Sequence, residues 1–171
     1  MSGAIHKKIL SEISIIYGDV SMPKGFEIDK DKLIKDTITQ EIQDCEFPYS
    51  KEWQKLNTFI TEHINCDYEI KLVNKKTWGN TYKSQEVSIP LLNIDTVDLR
   101  NSPDYTCLYG VQVDKCNIRI HYDDNRRKGR SWDIPLEDNK FIIFPSTCMY
   151  YLTNKQKNSL NFVQTITYEF D

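Results

Sequence analysis

The feature that most constrains this chain is a change in the spacing of its apolar residues near Asp67. Before that point they recur three and four residues apart, which lines one face of a helix; after it they alternate, which lines one face of a strand. Ile5, Ile9, Leu10, Ile13 and Ile16 predict a first helix, closed by Gly18 in the left-handed position that often follows a helix. Met22-Pro23-Lys24-Gly25 reads as a turn. Asp29 or Asp31 caps a second helix carrying Leu33, Ile34, Ile38 and Ile42, and Ser50 caps a third with Trp53, Leu56, Ile60 and Ile64 on one face.

The alternating part begins with Tyr68, Ile70 and Leu72 and, after a Lys/Asn turn, continues through Thr77 to Tyr82. Further strands are expected over 87–92, 105–113, 118–122, 140–144, 148–152 and 160–170, separated by turn-rich breaks at 101–104, 114–117 and 137–139. Many short strands at fairly regular spacing indicate a sandwich or jelly roll. The 171 residues carry no internal repeat, low-complexity tract or linker. The expectation is a single α+β domain over 1–171, a mainly helical region (1–66) buttressing a jelly roll (67–171). A domain of this length buries roughly 70% of its unfolded surface and needs no disulfide or metal for stability.

Composition narrows the function classes. A net charge of -3 and a pI of about 5.7 supply no global field for nucleic acid or an anionic membrane. No apolar run reaches transmembrane length, and the N-terminus lacks a signal-peptide pattern. The five cysteines, Cys45, Cys66, Cys107, Cys116 and Cys148, are odd in number and include no CxxC pair. That argues for reduced thiols in a cytosol, or in a particle assembled there, and against a disulfide framework or a zinc site.

Several blocks carry a family likeness. Trp78-Gly79-Asn80-Thr81-Tyr82 resembles a "W-x-N-x-Y" strand, and Leu108-Tyr109-Gly110-Val111-Gln112-Val113 resembles an "S-G-V-Y-Y" strand. Ile134-Pro135 leading to Phe141-Ile142-Ile143-Phe144-Pro145-Ser146 resembles a "P-x-x-G-x-L-x-x-F-P-S" block, the most specific of the set, and Val163-Gln164-Thr165-Ile166-Thr167-Tyr168 resembles a closing "I-S-I-S-F" strand. In order and rough spacing these resemble, over about 77–170, the 2-oxoglutarate/Fe(II) oxygenase-like family common in tailed bacteriophages, whose fold is the double-stranded β-helix. The resemblance implies an iron site made by an early His-x-Asp/His pair and a second His after the Phe-Pro-Ser block, a facial triad that leaves open positions for cofactor and oxygen. It also implies an Arg, about one strand later, for the 2-oxoglutarate carboxylate.

Carried over position by position, the early pair falls on Leu91 and Asn93, the distal ligand on Tyr150 and the arginine on Asn161. Leucine has no donor atom, asparagine and tyrosine are poor iron ligands, and no arginine follows Arg130. Counting histidines agrees. Of His6, His63 and His121, only His121 lies in the strand region, and no histidine follows it. The expectation is therefore no catalytic residue, no metal and no cofactor.

Other clusters admit two readings each. His121-Tyr122-Asp123-Asp124 is a divalent-metal or acid/base site, or a strand end running into a solvated acidic turn. Arg126, Arg127, Lys128 and Arg130 form the densest basic cluster, either a loop that binds phosphate, nucleic acid or an acidic partner surface, or a mobile loop neutralised by Asp123, Asp124 and Asp133. Tyr105, Tyr109, Tyr150, Tyr151, Phe162 and Tyr168 line a ligand pocket or fill the sandwich core; Thr147-Cys148-Met149 suggests a pocket packed shut. A nucleophilic Cys116 would need His121 beside it in space as well as in sequence.

The expected function is a non-enzymatic virion structural protein of the neck, tail or baseplate, made in the host cytoplasm. It would contact other virion proteins in a symmetric multi-copy assembly, without nucleic acid or membrane. The competing expectations are an atypical iron/2-oxoglutarate hydroxylase and a regulatory binding module outside the virion.

Overall fold

A computed structural model describes residues 4–9, 12–20, 28–43, 51–68, 70–125 and 128–170; for residues 37, 40–43, 67, 123–125, 128 and 170 it describes the backbone alone. The expected caps at Ser50 and the turn at 22–25 lie outside the described residues. Among the described residues two α-helices, α1 (Lys30–Gln43) and α2 (Lys51–Tyr68), accompany eight strands: β1 (Ile16–Asp19), β2 (Leu72–Tyr82), β3 (Tyr105–Gln112), β4 (Cys116–Asn125), β5 (Lys128–Leu136), β6 (Lys140–Pro145), β7 (Met149–Asn154) and β8 (Asn161–Phe170).

Both helices start where their sequence asks. The carboxylate of Asp29 accepts the Lys32 N–H at 3.1 Å and its carbonyl accepts the Leu33 N–H, so Asp29 is the cap of α1. The buried Glu52, in the first turn of α2, accepts the Asp29 N–H at 2.9 Å and the Lys55 ammonium at 3.1 Å, tying the two helix starts together. Trp53, Leu56, Ile60 and Ile64 are all buried, as their spacing predicts. Among the described side chains of α1 only Leu33 is fully buried; Ile38 is exposed, so the described apolar stripe of α1 turns partly to solvent.

Pairing divides the strands into a five-stranded sheet, β1-β6-β3-β8-β2, and a three-stranded sheet, β5-β4-β7, antiparallel throughout. The last strand in sequence, β8, lies between β2 and β3. Period-two alternation then makes two cores. Residues such as Cys107, Tyr109, Ile143, Ile166 and Tyr168 face α1 and α2, while Leu108, Ile118, Ile142, Phe144 and Val163 fill the space between the sheets. The result is three layers, helices on a large sheet on a small one: the expected α+β jelly roll.

Four local expectations need correction. Ile5, Ile9, Ile13 and Ile16 do not form a helix: the described residues of 4–15 have no regular structure, and Ile16–Asp19 pairs with Lys140–Ile143 as an edge strand, placing Gly18 opposite Phe141. The Lys/Asn turn is instead a bulge inside β2, at Asn74–Lys76, where Lys75 reaches across to Glu169. Residues 87–92 make only isolated bridges at Val87 and Leu91. Pro90 brings no N–H and breaks the ladder. Finally, Lys128 and Arg130 are not in a loop, because β4 and β5 pair as far as Asn125 opposite Lys128; Arg126 and Arg127 lie outside the described residues.

Candidate functional site

The open edge of β7 organises the site that the sequence singles out. Segment 86–93 runs along it as a broken strand. Leu91 and Tyr150 exchange backbone hydrogen bonds at 2.7 and 3.0 Å, and the Ser88 N–H donates to the Leu152 carbonyl at 2.9 Å. The Leu152 N–H, which a continuous strand would satisfy with a carbonyl, donates to the Ser88 hydroxyl instead. This bridge places Leu91 and Asn93 beside Tyr150.

Inside the jelly roll Tyr150 is 2% exposed and meets Phe144 edge-on, with ring centroids 5.0 Å apart. Its hydroxyl accepts a hydrogen bond from the Asn93 amide at 3.0 Å. The same amide nitrogen donates to the Thr106 hydroxyl at 3.2 Å, and Thr106 and Ser146 share a hydrogen bond of 2.9 Å. Burial pushes the Tyr150 phenol up to about 12, against the pull of Asn93, so the hydroxyl is protonated at neutral pH. Leu91 packs against the same core.

The fourth position is elsewhere. Asn161 begins β8 and is fully buried. Its amide nitrogen donates to Asn154 Oδ1 at 2.7 Å, the Asp114 carbonyl at 3.1 Å and Gln156 Oε1 at 3.3 Å, while its oxygen accepts the Asp114 N–H at 2.9 Å. Asn154 ends the strand that Tyr150 nearly begins, four residues and roughly 13 Å away along β7. Asn161 thus clamps the loops at the far end of the sandwich, and every polar atom of its side chain is used.

These residues do not fit an iron centre. Leu91, Asn93 and Tyr150 offer neither imidazole nor carboxylate, and the two that have polar side chains are hydrogen-bonded to each other. Among the described residues no group of three His, Cys, Asp or Glu side chains is placed to hold a metal ion. A surface cavity of about 360 Å³, lined by Lys75, Lys76, Trp78, Asn93, Pro103 and Thr167, reaches Asn93 from outside, and neither Tyr150 nor Asn161 lines it.

The remaining candidates disperse. The six aromatics separate: Tyr109, Phe162 and Tyr168 face the helices with Tyr105 against them, Tyr150 lies between the sheets, and Tyr151 contacts Arg119 and His121 on the outer side of the small sheet. Cys116 points into the core, whereas His121 sits on the opposite face of β4 beside Tyr151, so the two do not meet. Tyr122 lines a cavity with Ile13 and Trp132; the side chains of Asp123 and Asp124 lie outside the described set. Sequence reading missed Thr106 and Ser146. The available signal was a lone aliphatic hydroxyl, Thr106, in the stretch that begins β3, whose strand partner Phe144 stands two residues before the serine of the Phe-Pro-Ser block.

No family model matches the chain, and a comparison with curated proteins returns no match. Solved structures do resemble it. A prolyl-4-hydroxylase from Pseudomonas putida superposes with a TM-score of 0.63 at 10% identity, covering 91% of this chain and 87% of that one. The viral collagen prolyl hydroxylase of Paramecium bursaria Chlorella virus-1, solved with 2-oxoglutarate, gives 0.60 at 14% identity over 90% and 94%. AviO1 from Streptomyces viridochromogenes gives 0.63 at 9% identity over 92% and 90%. The fold is therefore that of the double-stranded β-helix seen in 2-oxoglutarate/Fe(II) oxygenases.

Proposed function

We propose that this chain works without catalysis, as a structural or binding protein on an oxygenase-type jelly roll. The observation that carries this reading is the Asn93–Tyr150 hydrogen bond. The positions that the family resemblance assigns to iron ligands hold a leucine, an amide and a neutral phenol, two of them consumed in holding segment 86–93 against β7. The setting we propose, on the sequence resemblance, is a tailed-phage particle in which the chain contacts other particle proteins. Mass spectrometry of purified virions should find it in stoichiometric amount; its absence from intact particles would remove the virion role.

The likeness to prolyl hydroxylases favours a second reading, an atypical iron/2-oxoglutarate hydroxylase. Anaerobic titration with Fe(II) and 2-oxoglutarate separates the two. We expect no charge-transfer absorption, no gain in unfolding midpoint and no succinate in air. Stoichiometric iron with 2-oxoglutarate-dependent succinate release would establish the enzyme instead.

A further inference from the structure

Two open sheets have four edge strands, and the unpaired N–H and C=O groups of an edge recruit another strand unless something blunts them. Three of the four are blunted in this molecule. Segment 86–93 runs along β7. Strand β2 carries Lys75 and Lys76 at its bulge. Strand β5 carries Lys128, Arg130 and Pro135, the last with no N–H to offer. The fourth edge, β1, pairs with β6 in unbroken register and holds no lysine, arginine, proline or bulge. Among the described residues no strand pairs with its other side.

The groove beside this edge is apolar. Ile15 packs into the core between the sheets and Tyr17 meets Trp132 of β5, ring centroids 5.7 Å apart, whereas Ile16 packs toward the helices. The odd-numbered residues of 13–19 therefore look toward the small sheet. Trp132 stands between two cavities there, one of about 260 Å³ against Ile13, Ile15 and Tyr122 and one of about 380 Å³ against Tyr17 and Asp19. Ile13, Tyr17 and Trp132 are 50%, 58% and 41% exposed. In the arm that leads into β1, Ile9 is 72% exposed and Lys7 is exposed as well, and the described residues of 4–15 form no helix or strand.

We infer that two copies of this chain exchange their arms across a two-fold axis at Ile13, residues 7–12 of each pairing antiparallel with 14–19 of the other as a sixth strand on the large sheet. Charge selects a second copy as the occupant, because the sequence about the axis is self-complementary. With Ile13 opposite its own copy, Ile9 falls opposite Tyr17 and Lys7 opposite Asp19, each pair occurring twice. Residues directly opposite share a face, so Ile9 covers Tyr17 beside Trp132 and the Lys7 ammonium meets the Asp19 carboxylate. A slip of two residues either way sets Lys7 against Tyr17 or Ile9 against Asp19 and loses the ion pairs. The six side chains at Lys7, Ile9, Ile13, Tyr17, Asp19 and Trp132 offer on the order of 600 Å² per copy; with the arm's backbone this approaches the roughly 800 Å² per partner of a stable interface. The contact uses the same surface on both copies and closes at two. This inference does not depend on the absence of catalysis, and its failure would leave that reading standing.

The test is sedimentation equilibrium of the full chain. The wild type should pass from monomer to dimer as concentration rises and grow no further. Lys7→Asp and Asp19→Lys change exposed positions outside both cores, and each sets like charges opposite one another twice in the dimer. Each variant alone should associate at least roughly tenfold more weakly, and Ile9→Asp should weaken the dimer as well. Mixing Lys7→Asp with Asp19→Lys, or joining both changes in one chain, should restore the dimer, because every 7–19 pair is then again of opposite sign. A wild type that stays monomeric or grows past two, single variants that associate as the wild type does, or a reciprocal swap that fails to restore the dimer would overturn the proposal.

Discussion

The side-chain amide of Asn93 and the hydroxyl of Tyr150, 57 residues apart in sequence, meet at 3.0 Å and fasten a broken strand to the jelly roll. Replacing Tyr150 by Phe removes the acceptor and keeps the packing, so it should cost about 1 kcal/mol in urea unfolding. Tyr150→Ala also leaves a cavity beside Phe144 and should cost about 3–5 kcal/mol. A double cycle with Asn93→Ala should return a coupling of about 1 kcal/mol. A coupling near zero would mean that the contact does not fasten the segment.

Gly110 should tolerate no side chain. A Cβ there would lie 2.2 Å from the Glu137 carbonyl oxygen, because the connection from β5 to β6 folds over β3 and the Asn139 N–H donates to the Gly110 carbonyl. The obstructing atom is backbone and cannot swing aside. Gly110→Ala should therefore destabilise by about 3 kcal/mol, measured by chemical denaturation.

Glu52 makes stability depend on acid. Burial raises its carboxyl, but the Asp29 N–H and the Lys55 ammonium outweigh burial and hold it below its ordinary 4.5. A depressed folded value means that the stabilisation is present above the unfolded value and is lost as pH falls through the folded one. Glu52→Gln, which can still accept the Asp29 N–H, should be less stable than the wild type at pH about 7. The difference should shrink as pH falls below 4.5 in parallel thermal melts.

Thiol chemistry should follow burial. Burial pushes Cys116 up to about 12, Cys107 higher still, and Cys148 upward as well, while Cys66 is exposed on α2. With iodoacetamide at neutral pH, peptide mass spectrometry should find Cys66 modified in the native protein. Cys107, Cys116 and Cys148 should react only after unfolding.

The parts of the fold that were legible in sequence are those where local periodicity and burial agree. Trp53, Leu56, Ile60 and Ile64 repeat at helical spacing because one face of α2 is buried, and β3, β6 and β8 read as strands because their side chains enter two cores. The failures lie at sheet edges. Residues 5–16 have helical spacing, yet the described ones among them form no helix, since Ile16 is fixed by pairing with Ile143, more than a hundred residues away. Strand β5 was hidden because an edge strand of a small sheet buries only Ile134 and Leu136 among its described side chains and leaves Ser131, Trp132 and Asp133 to solvent. The candidate site was half legible. The family resemblance brought Leu91, Asn93 and Tyr150 forward, but which of them would touch depends on a bridge across β7, and Asn161 belongs to a different cluster.

The central place of β8 has a consequence for synthesis. Among the described residues nothing but β8 joins β2 to β3 in the large sheet, and β8 is the last of the eight described strands in sequence order. During synthesis β2 must therefore wait for its sheet partner until β3 to β7 have been made. The large sheet closes around β8, a long-range step that favours slow folding, and in a chain truncated before Asn161 that sheet would be left in two pieces.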